Sequence, residues 1–189
     1  MSKSPRARAE TTRREILEAA SILFRQHGVD GVSLSRVMAE IAMTPGGFYK
    51  YFSSKEALAC EVCVNAIRQS QESWQAIFER APRLSEPPLR YLASQYFPTA
   101  AEGQCPVVTL GQDAADLSHD KSFRQVYSEG SKALLDKLLS LAKEQSPTVS
   151  RKHTLVQFAA MVGIGFLSRA TGTEQWVKEM EDALLAQLK

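Results

Sequence analysis

At 189 residues, with 44% hydrophobic and 23% charged side chains, the chain has the composition of a folded globular protein and is too apolar for a disordered one. Its net charge of +2 is too small to argue for a polyanionic partner, but the distribution is uneven. Residues 1–59 hold nine Lys and Arg against six Asp and Glu, whereas residues 60–189 hold fourteen against fifteen.

The N-terminus, MSKSPRARAETTRRE, is basic and lacks the apolar core of a secretory signal. Lys3, Arg6 and Arg8 sit among Ser, Pro and Ala, and this stretch is expected to be disordered in isolation. Thr12 and Glu15 have capping-box spacing, which predicts a helix from there, with Ile16, Leu17, Ala20, Leu23 and Phe24 on one apolar face. His27-Gly28 ends it. Arg13 and Arg14 then fall in its first turn, unfavourably against the helix dipole, unless a phosphate lies nearby.

The stretch Ser33–Phe52, SLSRVMAEIAMTPGGFYKYF, reads as two short helices around a break at Met43-Thr44. Leu34, Val37, Met38 and Ile41 make one apolar stripe, and Ser33 is placed to cap it. Thr44 suits an N-cap and Pro45 the first helical position. Gly46 and Gly47 are poor helix formers whose use there fits close approach of another backbone, a phosphate chain included. Phe48 and Phe52 face inward, leaving Tyr49, Lys50 and Tyr51 outside. This is the pattern of a helix-turn-helix.

Ser53 and Glu56 form a second capping box, predicting a long helix from about Ser54 to Arg80. Lys55 at its start makes a good phosphate site. Leu58, Val62, Ala66, Ile67, Trp74, Ile77 and Phe78 form its core side. Pro82 breaks it. Leu89, Leu92, Ala93, Tyr96 and Phe97 form a stripe expected to stop at Pro98, before a TAAEGQ loop. Cys105-Pro106 begins a helix carrying Val107, Leu110, Ala114 and Leu117. From about Asp120 to Gln145, Phe123, Tyr127, Gly130, Leu134, Leu138 and Leu141 keep helical spacing. Two broad apolar helices follow, from about Ser150 (Leu155, Phe158, Ala159, Val162, Gly163, Phe166, Leu167) and from Thr173 (Trp176, Val177, Met180, Ala183, Leu184, Leu188). They either sit centrally in the monomer core or pack on their own copies across a two-fold axis. No strand-period alternation appears, so the chain is expected to be all-α.

No uninterrupted apolar run approaches a membrane span, and three cysteines without a disulfide framework fit a reducing cytoplasm. Asp113, Asp116 and His119 could share a helix face as metal ligands, though such spacing is usually a solvated face, and no metal or cofactor is expected. No catalytic constellation emerges. Cys60 and Cys63 fit two packed thiols better than a redox pair. Cys105, at a helix start, is expected to have a lowered pKa and could serve as a redox or electrophile sensor.

Ser33, Val37, Ile41-Ala42, Gly46, Phe48-Tyr49, Tyr51-Phe52 and Ser54-Lys55-Glu56-Ala57-Leu58 resemble the DNA-binding signature of the TetR family of transcriptional regulators. The resemblance covers about the first third of the chain; Pro45-Gly46-Gly47 departs from the polar recognition helix of many relatives. It implies about nine helices, with a DNA-binding domain over 1–54 and a ligand-binding and dimerisation domain over 55–189. It also implies a cytoplasmic, non-enzymatic homodimer through the last two helices, with no membrane partner. Such a dimer would bind double-stranded operator DNA, most simply as a repressor released by a small-molecule inducer. Arg13, Arg14, Ser33, Tyr49, Tyr51 and Lys55 would hold phosphates, with Thr44, Gly46, Gly47 and Lys50 nearest the bases. Trp74, Phe97, Cys105, Leu110, Tyr127 and Met161 would line the inducer pocket. The competing classes are a sensor that does not act through DNA and an enzyme on a helical scaffold.

Overall fold

The computed structural model describes residues 4–116, 121–172 and 174–188, and these are helices joined by turns. Lys3, Leu117, His119, Asp120 and Thr173 lie outside the described residues. In chain order the helices are α1 (Pro5–His27), α2 (Leu34–Glu40), a 3-10 helix (Pro45–Lys50), α3 (Lys55–Arg80), a 3-10 turn (Ala81–Leu84), α4 (Pro88–Ala101), α5 (Pro106–Thr109), α6 (Gly111–Ala115), α7 (Lys121–Gln145), α8 (Arg151–Thr171) and α9 (Gln175–Gln187). They group into two compact units, Met1–Ala66 with Thr109–Ser128 and Ile67–Val108 with Glu129–Lys189.

In the first unit, α1 starts seven residues before Thr12. Ser4 caps it, accepting the Ala7 N–H at 3.2 Å, and Pro5 takes the first helical position. Thr12 is therefore mid-helix, and Arg13 and Arg14 lie beyond the first turn, so the dipole argument for them falls. Ile16, Ala20, Leu23 and Phe24 are buried as their spacing requires. Gly28 ends α1 at φ 73°, and the next N–H, from Val29, donates to Asp113 Oδ1 of α6 at 2.8 Å. That bond joins residues 84 positions apart and pins α6 to the turn leading into α2. Arg124 holds the other end of α6, its Nε donating to the Ala114 carbonyl at 3.1 Å.

α2 ends at Glu40, and Ala42 turns left-handed at φ 55°, so the helix-turn-helix breaks slightly before the expected Met43-Thr44. Ser33 caps α2 as expected. α3 is capped by Ser54, which accepts the Ala57 N–H at 3.0 Å, one residue later than the spacing of Ser53 and Glu56 predicted.

In the second unit, α4 runs through Pro98 to Ala101 instead of stopping there. Pro98 removes one ladder N–H, but the buried Ala100 continues the helix into contact with α8. A Cβ on Gly165 of α8 would stand 2.9 Å from the Ala100 Cβ and 3.0 Å from the Tyr96 hydroxyl, so the absent side chain lets the two helices close. α8 turns Thr154, Gln157, Met161, Ile164, Gly165 and Ser168 inward. Its broad apolar face points the other way: Leu155, Val156 and Phe166 are exposed, and Phe158, Val162 and Leu167 are half-buried. On α9, Val177, Leu184 and Leu188 are buried while Trp176 and Met180 stand out. α8 is also long and apolar enough, by length and composition alone, to cross a membrane, although a third of that stretch is packed inside the protein.

Candidate nucleic-acid interface

The 3-10 helix Pro45–Lys50 stands on its aromatics. Phe48 and Phe52 are buried and stack with ring centroids 5.7 Å apart, and the Tyr51 and Phe52 N–H groups return to the Phe48 carbonyl. This fixes which side faces out. Thr44 sits extended at the N-cap position, yet its hydroxyl makes no capping bond. Gly46 is exposed, and a Cβ placed there would meet nothing within 4 Å. A Gly costs a helix about 1 kcal/mol against Ala, and no internal contact requires this one. Gly47 differs, because a Cβ there would press on the Met43 methyl at 3.2 Å. Tyr49 is 67% exposed, Lys50 is exposed and Tyr51 is half-buried.

Lys55 is the first residue of α3, where open backbone N–H groups and its ammonium serve the same space; among the described residues it forms no ion pair. Ser33 is exposed, but its hydroxyl is already engaged as the α2 cap and with Ser35. Arg14 is exposed, with a long 3.7 Å pair to Glu18 that is worth little in water.

Arg13 is engaged within the domain. Its guanidinium grips Glu61 of α3 through one nitrogen at 2.5 and 2.7 Å to the two carboxylate oxygens, and lies 4.6 Å over the Phe52 ring. Its strongest contacts are thus made inside the domain, although the side chain remains 43% exposed. The same unit also has an acidic face. A groove of about 430 Å³ between α1 and α2 is lined by Glu15, Glu18, Glu40, Arg36 and Ile22, which sets that face against a polyanion. Arg36 is an exposed cation the sequence reading passed over, but its guanidinium meets His27 at 2.9 Å and belongs to this groove.

The residues expected to line a ligand pocket separate by unit. In the first, Leu110 is buried, and the Tyr127 hydroxyl lies 3.0 Å from where a Gly111 Cβ would stand. In the second, Trp74, Phe97, Cys105 and Met161 are all buried. Tyr96 connects three of these. Its ring meets Trp74 edge-on at 6.0 Å and Phe97 at 5.9 Å, and its hydroxyl donates to Cys105 Sγ at 3.3 Å. Tyr96 was legible only as part of an apolar stripe, yet a buried tyrosine hydroxyl needs a polar partner, and the nearby thiol is one.

Burial pushes the Cys105 thiol above its ordinary pKa; the hydrogen bonds from Tyr96, Val108 and Val107 pull it down and do not win. The helix-start effect is therefore present but outweighed, and the expected thiolate becomes a thiol. Cys63 is pushed up to about 12, by burial and then by Cys60. None of the three cysteines is disulfide-bonded. Asp113 is committed to Val29, Asp116 is exposed, and no cluster of three or more metal-ligating side chains occurs among the described residues.

The family described as bacterial regulatory proteins, tetR family, matches residues 16–62. The A-factor receptor protein of Streptomyces griseus is 38% identical over 53 residues, which is 28% of this chain; the matched part spans 19% of that protein's length. Among solved structures, a TetR-family transcriptional regulator from Cytophaga hutchinsonii superposes with a TM-score of 0.79 at 19% identity, covering 96% of each chain. The reduced form of E. coli NemR superposes with a TM-score of 0.72 at 19% identity, covering 92% of this chain and 95% of its own. At such identities the structural likeness speaks for the fold of the whole chain, and the matched residues speak for the helix-turn-helix. Residues 16–62 are thus similar to the tetR family of bacterial regulatory proteins, and the chain as a whole has the all-helical fold of the solved regulators it superposes on.

Proposed function

We propose that this protein is a ligand-responsive, DNA-binding transcriptional regulator, acting as a homodimeric repressor in the cytoplasm. The observation that carries the reading is the outward side of the 3-10 helix and the start of α3. Within twelve residues it offers an uncapped Thr44 hydroxyl, the bare Gly46, exposed Tyr49 and Lys50, and Lys55 at a helix N-terminus. Lys55, Arg14 and the two tyrosines hold phosphates and set register, with Ser33 at the edge; Thr44, Gly46, Gly47 and Lys50 lie nearest the bases. With few long side chains there, DNA shape supplies much of the selectivity. Residues 1–54, with Lys55 at the border, carry this task, and the rest of residues 55–189 bind the inducer and the second copy.

The partner is a second copy because the apolar sides of α8 and α9 lack cover. Leu155, Val156, Phe166, Trp176 and Met180 are exposed around a groove of about 410 Å³ lined by Ala160, Gly163, Leu167 and Ala183. Gly163 lies mid-helix with nothing within 4 Å of a Cβ placed on it, so no contact inside the monomer explains it. Close approach of a partner helix does. Trp74, Tyr96, Phe97, Cys105 and Met161 of the second unit form the inducer region. Its buried, protonated thiol favours reversible binding of an apolar ligand over capture of an electrophile.

A gel-shift titration against the DNA flanking its own coding sequence tests this. Selective, salt-sensitive retardation is expected. Equal affinity for all duplexes, or turnover of a substrate, would favour a sensor or enzyme that does not act through DNA.

A further inference from the structure

We propose that Arg13 and Glu61 form a positioning pair that sets the angle of the recognition helix through Phe52. The inference rests on the DNA-binding reading above. Arg13 comes from α1, Glu61 from α3, and Phe52 from the residue pair just beyond the 3-10 helix, so three elements meet at one guanidinium. One side of the group holds both carboxylate oxygens, and its face covers the Phe52 ring. That ring stacks on Phe48 inside the recognition helix, and the Phe52 N–H bonds the Phe48 carbonyl at 3.2 Å. A shift of Arg13 is therefore passed by direct contact to the aromatic pair under the helix that carries Tyr49 and Lys50. Arginine suits this place and lysine does not, because only a planar guanidinium both grips a carboxylate and stacks on a ring.

Charge alone gives the opposite expectation to positioning. Glu61→Gln removes a negative charge from a domain that grips a polyanion, so simple electrostatics makes binding tighter. Positioning makes it weaker, and only for the preferred sequence.

The experiment measures binding of the full chain to a duplex selected from a random-sequence pool and to an unselected duplex of equal length. The variants are Glu61→Gln, Arg13→Lys, Arg13→Ala and the double variant Arg13→Ala with Glu61→Gln. Glu61→Gln and Arg13→Lys each weaken the selected duplex by about tenfold, and the double variant loses no more than Arg13→Ala alone. The unselected duplex is bound as by the parent in Glu61→Gln and Arg13→Lys. Parent-like or tighter binding of the selected duplex by Glu61→Gln overturns the proposal, as does full rescue by Arg13→Lys, which would make Arg13 an ordinary cationic contact. Should these variants lose both duplexes by unfolding, Phe52→Leu decides. It leaves both charges in place and withdraws the ring, so loss of the selected duplex alone supports the pair and parent-like binding overturns it. A parent protein that binds no duplex at all defeats the DNA reading and the pair together. A selective parent with parent-like variants defeats the pair only.

Discussion

Truncating Phe166 tests where the second copy sits. Phe166 is 56% exposed on α8. A phenylalanine buries roughly 150–250 Å², so covering the exposed part removes about 100 Å² from water. At ~25 cal/mol per Å² that contributes about 2.5 kcal/mol. A two-fold interface contains the residue twice, which makes about 5 kcal/mol per dimer. Alanine keeps a small share, and coverage at an interface is incomplete, so Phe166→Ala is expected to raise the dimer dissociation constant about a thousandfold. Sedimentation equilibrium over a wide concentration range reads this directly. The monomer's own unfolding in urea should change less than the dimer's dissociation, because more than half of the side chain lies outside the monomer core. An unchanged dissociation constant would refute the reasoning, as would a parent that stays monomeric. A monomer that floats with phosphatidylcholine vesicles would assign the face to lipid instead.

Lys55→Ala should weaken selected and unselected duplexes about equally and reduce the slope of log affinity against log salt by about 2, one contact being lost from each head of the dimer, whereas Lys50→Ala should change the preferred sequence; competition binding over a salt series separates the two. Gly130→Ala places a Cβ 2.8 Å from Ile67 Cγ1, and overpacking of about 1–3 kcal/mol outweighs the ~1 kcal/mol gained in helix propensity, so urea melts should show a loss of about 1 kcal/mol. A stabilised variant would show that α3 and α7 can part there. Cys63 is pushed from 9.0 up to about 12. The folded state thus holds this proton more tightly than the unfolded state, and the stability tied to the neutral thiol is complete below pH 9 and lost as pH rises toward 12. Above pH 9 the parent should lose stability relative to Cys63→Ala by up to ~1.4 kcal/mol per pH unit; parallel pH curves would refute the assignment.

What was legible in the sequence was mostly local. Ser33, Pro45 and the four-residue spacing of Phe48 and Phe52 act within a turn or two, so the helix-turn-helix could be read with its inward and outward sides. The start of α1 was misread because Thr12 and Glu15 offered a capping box while Ser4-Pro5, an equally good start signal, sat in a stretch that looked disordered. Pro98 was read as a stop because the local rule is sound, but the packing of Ala100 on α8 overrides it. Long-range partners left no trace in the spacing. Arg13 meets Glu61 across 48 positions, and Asp113 meets Val29 across 84. Cys105 was misjudged in sign because a helix start is visible in sequence whereas the depth of burial is not. The apolar stripe of α8 was found correctly, but only the fold shows that it faces away from the core.

The most direct test of the account is the affinity of the purified protein for its selected duplex as a function of salt. Arg14 and Lys55 are the cations assigned to phosphates on each head, four in a dimer, so log affinity should fall linearly with log salt at a slope of about −4. A slope near zero, or no preference for the selected duplex at low ionic strength, would contradict a paired grip on DNA phosphates.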